Sequence, residues 1–144
     1  DTLWRVPHVS LVDVKARYRG AETFKFGDTP ELSAECLKLV RSGKKTATCG
    51  AFRDFEEGDE EMPKPGRRDI ALDWQGRPAL VIETVEVTQM RFDEVDEDFA
   101  MAEGEFRDLE DWRKGHERFF ARNGGFAPDM MLVCERFRLV EDLA

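Results

Sequence analysis

The chain has 144 residues, 41% of them hydrophobic and 37% charged, the length and composition of a single globular domain. Its 31 acidic residues against 22 basic ones give a formal charge of −9, which argues against general electrostatic attachment to duplex DNA or to an anionic membrane surface. No run approaches 18 apolar residues, so no transmembrane helix is expected.

Cys36, Cys49 and Cys134 form no C-x-x-C pair, and no histidine stands at zinc-finger spacing. A reducing, cytoplasmic setting is the expectation. The first residues lack the basic and apolar regions of a signal peptide.

In chain order, a mixed N-terminal segment precedes a short strand at Thr23 to Phe26. Asp28 or Thr29 then caps a helix with Pro30 at its first position. Leu32, Cys36, Leu39 and Val40 share its apolar face, and Gly43 ends it. Thr46 to Cys49 favours a strand. The acidic patch Glu56 to Glu61 reads as a solvated loop. Ile70 to Trp74 alternates before the turn Gln75-Gly76-Arg77-Pro78. The return strand, Ala79 to Thr88, places Val81, Val85 and Val87 on one face and Leu80 and Ile82 on the other, and is expected to be largely buried on both. One helical stretch spans Asp93 to Glu103. A second aligns Leu109, Trp112, His116, Phe119 and Phe120, and Met130 to Leu139 alternates as a last strand. Strands and helices without regular βαβ order predict an α+β fold.

Chemistry concentrates in a few places. Gly43-Lys44-Lys45-Thr46-Ala47-Thr48 offers two ammonium groups beside two hydroxyls. Lysine acts as a base only where its pKa is lowered, and adjacent Lys44 and Lys45 near a buried strand could achieve that, although a helix C-terminus opposes it. A helix cap and edge strand is the plainer reading. Glu103 and Glu105 flank Gly104, where a sharp turn can aim one carboxylate into a pocket; two solvated charges are the alternative. His116 lies on an apolar stripe and fits a core histidine better than a catalytic one, while His8 has no recognisable context. Glu83 is expected to be ion-paired. Lys64, Arg67 and Arg68 form a basic loop, suited to salt bridges or to phosphate. No His, Cys and carboxylate cluster stands at metal-ligand spacing, so no metal or cofactor is expected.

The order of these pieces closely resembles the ASCH domain family: Phe26-Gly27-Asp28-Thr29-Pro30-Glu31-Leu32, the G-x-K-x-x-T element Gly43, Lys45 and Thr48, the Pro63-Lys64-Pro65-Gly66 loop, Val81-Ile82-Glu83-Thr84, Ala102-Glu103-Gly104-Glu105, and Trp112 with His116. The resemblance covers roughly residues 23 to 142, giving an N-terminal segment 1–22 of unassigned role and an ASCH-like domain 23–144. It implies a small PUA-like β-barrel with helices packed around it, and a cleft for RNA or a nucleoside. It further implies metal-independent amide hydrolysis of N4-acylated cytidines or cytosines, with Lys45, Thr48 and Glu105 catalytic. On that reading Thr48 attacks the carbonyl, Lys45 takes its proton and Glu105 orients Lys45 or the base; a water activated by Glu105 is the other route. Glu103, Lys44, Arg53, Lys64 and His116 are the expected substrate contacts. On a regular strand Lys45 and Thr48 would face opposite sides, so the site requires Lys45 in the turn before the strand; Thr46 is the competing hydroxyl. The alternative function is an RNA-binding or RNA-cleaving module using Lys44, Lys45, Arg53, Lys64 and Arg67. The partner expected is a modified nucleoside, with RNA as the second choice and neither duplex DNA nor a membrane.

Overall fold

The turn at Gln75–Pro78 organises the centre of the molecule. Gly76 takes φ 87°, a conformation that costs glycine little, and the chain reverses between β3 (Arg68–Leu72) and β4 (Pro78–Arg91), which pair antiparallel. Three further strands, β1 (Glu22–Phe24), β2 (Ala47–Ala51) and β5 (Met131–Asp142), complete a mixed sheet of order β1-β3-β4-β5-β2. These elements come from a computed structural model that describes residues 9–56 and 61–143; His8 and most of the acidic patch lie outside the described residues. The sheet curls into a half-barrel with β1 and β2 at its two free ends, the α+β architecture expected.

Capping chemistry sets the helix boundaries. Besides α1 (Leu11–Arg17), the chain forms α2 (Pro30–Arg41), where Thr29 Oγ1 accepts from Leu32 N at 3.1 Å. Thr29 is therefore the cap; Asp28 instead pairs with Arg122 at 2.7 Å. Helix α2 buries Cys36, Leu37 and Val40 against Phe26, Leu80 and Phe137. The single helix expected over Asp93 to Glu103 is two pieces, a 3-10 turn at Phe92–Glu94 and α4 (Glu97–Ala102). The break comes from Asp96, whose carboxylate accepts from Phe99 N at 2.9 Å and starts a new helix. Helix α5 (Leu109–Arg122) buries Trp112 and Phe120 beside Phe92, Phe99 and Leu132. A short α3 (Phe52–Glu56), unforeseen in the sequence, continues directly from β2.

Strand β4 meets the two-sided burial expected of it only in its first half. Ala79 to Ile82 are buried, but the register shifts between Thr84 and Glu86, and Val85 is 54% exposed. A bulge leaves one residue unpaired and rotates the remainder of the strand. Glu83 is ion-paired as expected, to Arg68 at 2.9 Å and Arg138 at 3.1 Å. Within the N-terminal segment, Val14 is fully buried with Ile70, Val81 and Leu143. Among the described residues no helix is long and apolar enough to cross a membrane.

Candidate active site

Two short segments meet where β2 begins. After Gly43 (φ 81°) the backbone amides of Lys44 and Lys45 both donate to Leu39 O, and Thr46 N donates to Ala102 O at 2.8 Å. Lys45 thus lies in the turn before Ala47, the geometry its pairing with Thr48 requires. Thr46 is exposed, with its hydroxyl 3.5 Å from Ala102 O, and does not line the cleft that Thr48 borders. On the facing segment Gly104 takes φ 78°, and a Cβ there would stand 2.5 Å from Lys44 O. Only glycine permits this approach, which sets Glu103 and Glu105 on either side of the contact.

Lys45 is 2% exposed. Its Nζ donates to Glu105 Oε2 at 2.7 Å and Ala47 O at 2.9 Å, with Glu103 O and Oε1 at 3.3 and 3.4 Å. An ammonium has three protons, so four acceptors engage all of them. Burial works to lower the Lys45 pKa, but the Glu103 and Glu105 carboxylates outweigh it and the net direction is upward. The depressed pKa that a lysine base needs is therefore absent: Lys44 is exposed, and the charges at Lys45 are carboxylates.

Behind Lys45, Glu103 is also 2% exposed. Its Oε2 accepts from Trp112 Nε1 at 2.9 Å and faces His116 Nε2 at 3.5 Å. Burial opposes its ionisation, yet His116, Lys45 and the Trp112 indole together hold its pKa at about 2. The His116 ring stacks on Trp112 at 4.2 Å, and Nδ1 lies 3.1 Å from Trp112 O. His116 is thus both a core partner and a wall of the site. Cys49 Sγ, a Glu103 oxygen and a His116 nitrogen lie within 4.8 Å of one another. This is a metal-capable grouping that linear spacing conceals, contrary to the expectation of no such cluster. Lys45, Trp112 and His116 already engage its carboxylate. Burial, then the nearby Glu105, pushes the Cys36 thiol up to about 12, and burial likewise raises Cys49, so both thiols are poor nucleophiles.

These groups border a cleft of about 880 Å³ that includes Lys45, Thr48, Glu103, Glu105 and His116 among its lining residues. That volume lies in the range of small-molecule sites. Lys44, Arg53 and Lys64 are not brought there. Arg53 donates instead to Asn123 O and Gly125 O at 3.1 and 2.8 Å, while Lys44 and Lys64 are exposed. Arg67 reaches the cleft but is bound to Asp69 at 3.0 Å. Nine lining residues are Asp or Glu against five Lys or Arg. Sequence reasoning passed over five of these acids, among them Glu135, whose place in an alternating strand showed neither its burial nor its neighbours.

The fold and this site together define an ASCH-type domain. The ASCH domain family model matches residues 22–141, and the chain belongs to that family. It is similar to the crystal structure of an ASCH domain from Lactobacillus crispatus JV V101, at 31% identity and TM-score 0.78 over 91% of this chain and 86% of that one. It is also similar to protein EF3133 from Enterococcus faecalis V583, at 34% identity and TM-score 0.80 over 92% of this chain and 86% of that one. No curated protein matches the chain.

Proposed function

We propose that this protein is a hydrolase that cleaves the N4-acyl amide of acylated cytosine nucleosides. The observation that carries the reading is the Glu105 carboxylate at the cleft, held at 2.7 Å by a buried ammonium. Lys45 is fully engaged and 2% exposed, so it positions Glu105 rather than exchanging protons itself. Glu105 is the general base. It takes a proton from a water whose oxygen attacks the acyl carbon, a role open to a positioned carboxylate within hydrogen-bond reach. Thr48, on the same cleft, offers a hydroxyl to orient the amide. The chemistry needs no metal.

Charge favours a nucleoside over RNA. Contacting a run of phosphates requires available cations, yet acids outnumber Lys and Arg on the lining, Lys45 is buried, and Arg67 and Arg122 are paired with Asp69 and Asp28. The test is incubation with N4-acetylcytidine and chromatographic detection of cytidine. Wild-type protein is expected to release cytidine at a rate nearly independent of salt, and Glu105→Gln to lose that activity. No release by the wild type across pH 5 to 9, or steep salt-dependent binding of single-stranded RNA in its place, overturns the reading.

A further inference from the structure

Among the carboxyls of the cleft that the hydrolytic mechanism leaves unused, Glu135 stands beside Thr48. Glu135 of β5 stands directly opposite Thr48 in the β2–β5 register, and both residues line the cleft. Paired residues on antiparallel strands project to the same face, so the hydroxyl that would orient the amide and this carboxyl are neighbours. Thr84 of β4 donates its hydroxyl hydrogen to Glu135 Oε2 at 2.6 Å. Oε1 has no hydrogen-bond or ion-pair partner among the described residues, and Glu135 is one of the residues that line the cleft.

The surroundings of Glu105 and Glu135 differ in kind. Glu105 touches a buried ammonium, whereas no ion pair reaches Glu135 among the described residues. The charges that face Glu135 are Asp69 and Arg67, and these two bind each other at 3.0 Å. Burial pushes the Glu135 pKa up, the Thr84 hydrogen bond pulls it down, and Asp69 and Arg67 act in opposite senses; the net direction is upward. A half-buried carboxyl whose pKa is raised, in the same cleft as a carboxylate paired with an ammonium, is placed to act as an acid.

We infer that Glu135 is the proton donor to the leaving cytosine nitrogen, the acid partner of Glu105; this rests on the amide-hydrolysis reading. A cytosine amide anion is a poor leaving group, so its departure requires a proton. As Glu105 removes a proton from water, the water oxygen bonds to the acyl carbon and the carbonyl π pair moves to its oxygen, returning when the leaving group departs. The C–N4 bond then breaks, its electron pair goes to the cytosine, and the Glu135 proton goes to that nitrogen. A carboxylic acid and a cytosine nucleoside remain. Glu105 returns its proton to solvent and Glu135 takes one back, so the balance is that of adding one water.

The test compares wild type, Glu135→Gln and Thr84→Val on two substrates, N4-acetylcytidine and the activated ester 4-nitrophenyl acetate, whose leaving group needs no proton. Circular dichroism first verifies the fold. Glu135→Gln keeps the shape and accepts from Thr84 but donates no acid proton. Its kcat on the amide is expected to fall by about 100-fold or more, while ester turnover stays within a few-fold. The alkaline limb of the wild-type kcat profile is expected to disappear in this variant. In Thr84→Val that limb should move to higher pH, because a hydrogen bond that lowers the Glu135 pKa is gone, a displacement that a merely structural defect would not produce. Cytidine release by Glu135→Gln equal to wild type overturns the acid role and leaves the amidohydrolase reading intact. Absence of release by the wild type removes both. A Thr84→Val profile that does not move also overturns the assignment.

Discussion

Lys45→Met isolates the electrostatics at the heart of the site. The substitution keeps side-chain length and apolar character but removes the one ammonium facing Glu103 and Glu105. Lys45 and Glu103 are each 2% exposed, so water cannot replace the lost charge. Removing one partner of such a buried pair costs about 3–5 kcal/mol. In a chain of this size each kcal/mol moves Tm by about 2–4 °C, and a fall of about 6–20 °C is expected. Urea denaturation monitored by tryptophan fluorescence gives the free energy directly. The same substitution in a Glu103→Gln background should cost markedly less, because no buried charge is then left uncompensated, and the double-mutant cycle measures the difference. A loss under about 1 kcal/mol for Lys45→Met in the wild-type background would refute the buried-ammonium argument.

Glu103 should also leave a signature in acid. Its pKa is depressed from 4.5 to about 2, so its contribution to stability is fully present above about 4.5 and is lost as pH falls toward about 2; Glu103→Gln should flatten that part of the stability profile, measured by urea titration at successive pH. Gly104→Ala places a methyl 2.5 Å from Lys44 O at a positive φ and is expected to destabilise by more than about 2 kcal/mol, read by thermal melting; a neutral effect would mean the two segments part easily. Thr48→Ala should lower kcat on N4-acetylcytidine without reaching the residual rate of Glu105→Gln, whereas equal residual rates would make Thr48 the nucleophile. A chelator should leave turnover unchanged, and restoration of a stripped, inactive sample by zinc would instead place an ion at Cys49, Glu103 and His116.

Where local chemistry decides structure, the sequence was readable. The Thr29 cap, the Gly43 stop, the Gly76 turn and the apolar stripe of α5 each depend on residues a few positions apart. The break before α4 and the bulge at Val85 were not, because a competing cap and a shift of strand register outweigh a smooth apolar pattern. At the site, the ASCH resemblance pointed to Lys45, Thr48 and Glu105, and these residues do share a cleft. Periodicity could not show that the Lys45 proton is held by two carboxylates, since Lys45 and Glu105 are 60 positions apart. Arg53 illustrates the converse: a basic residue near the motif suggests a ligand contact, yet its guanidinium caps backbone carbonyls beyond α5.

The half-barrel is left open, and the opening has a use. Strands β1 and β2 are the two ends of the sheet, and residues of both line the same cleft. An exposed strand edge ordinarily invites another chain to add to it. Here the two end strands both contribute residues to one cleft instead of pairing with each other as they would in a closed barrel. Full closure would gain ladder hydrogen bonds, each contributing about 0.5–1.5 kcal/mol, and would remove part of the cleft wall. Engineering this domain for greater stability by stitching β1 to β2 would therefore reshape the cleft, whereas tightening β3, β4 and β5 would leave the two sheet ends as they are.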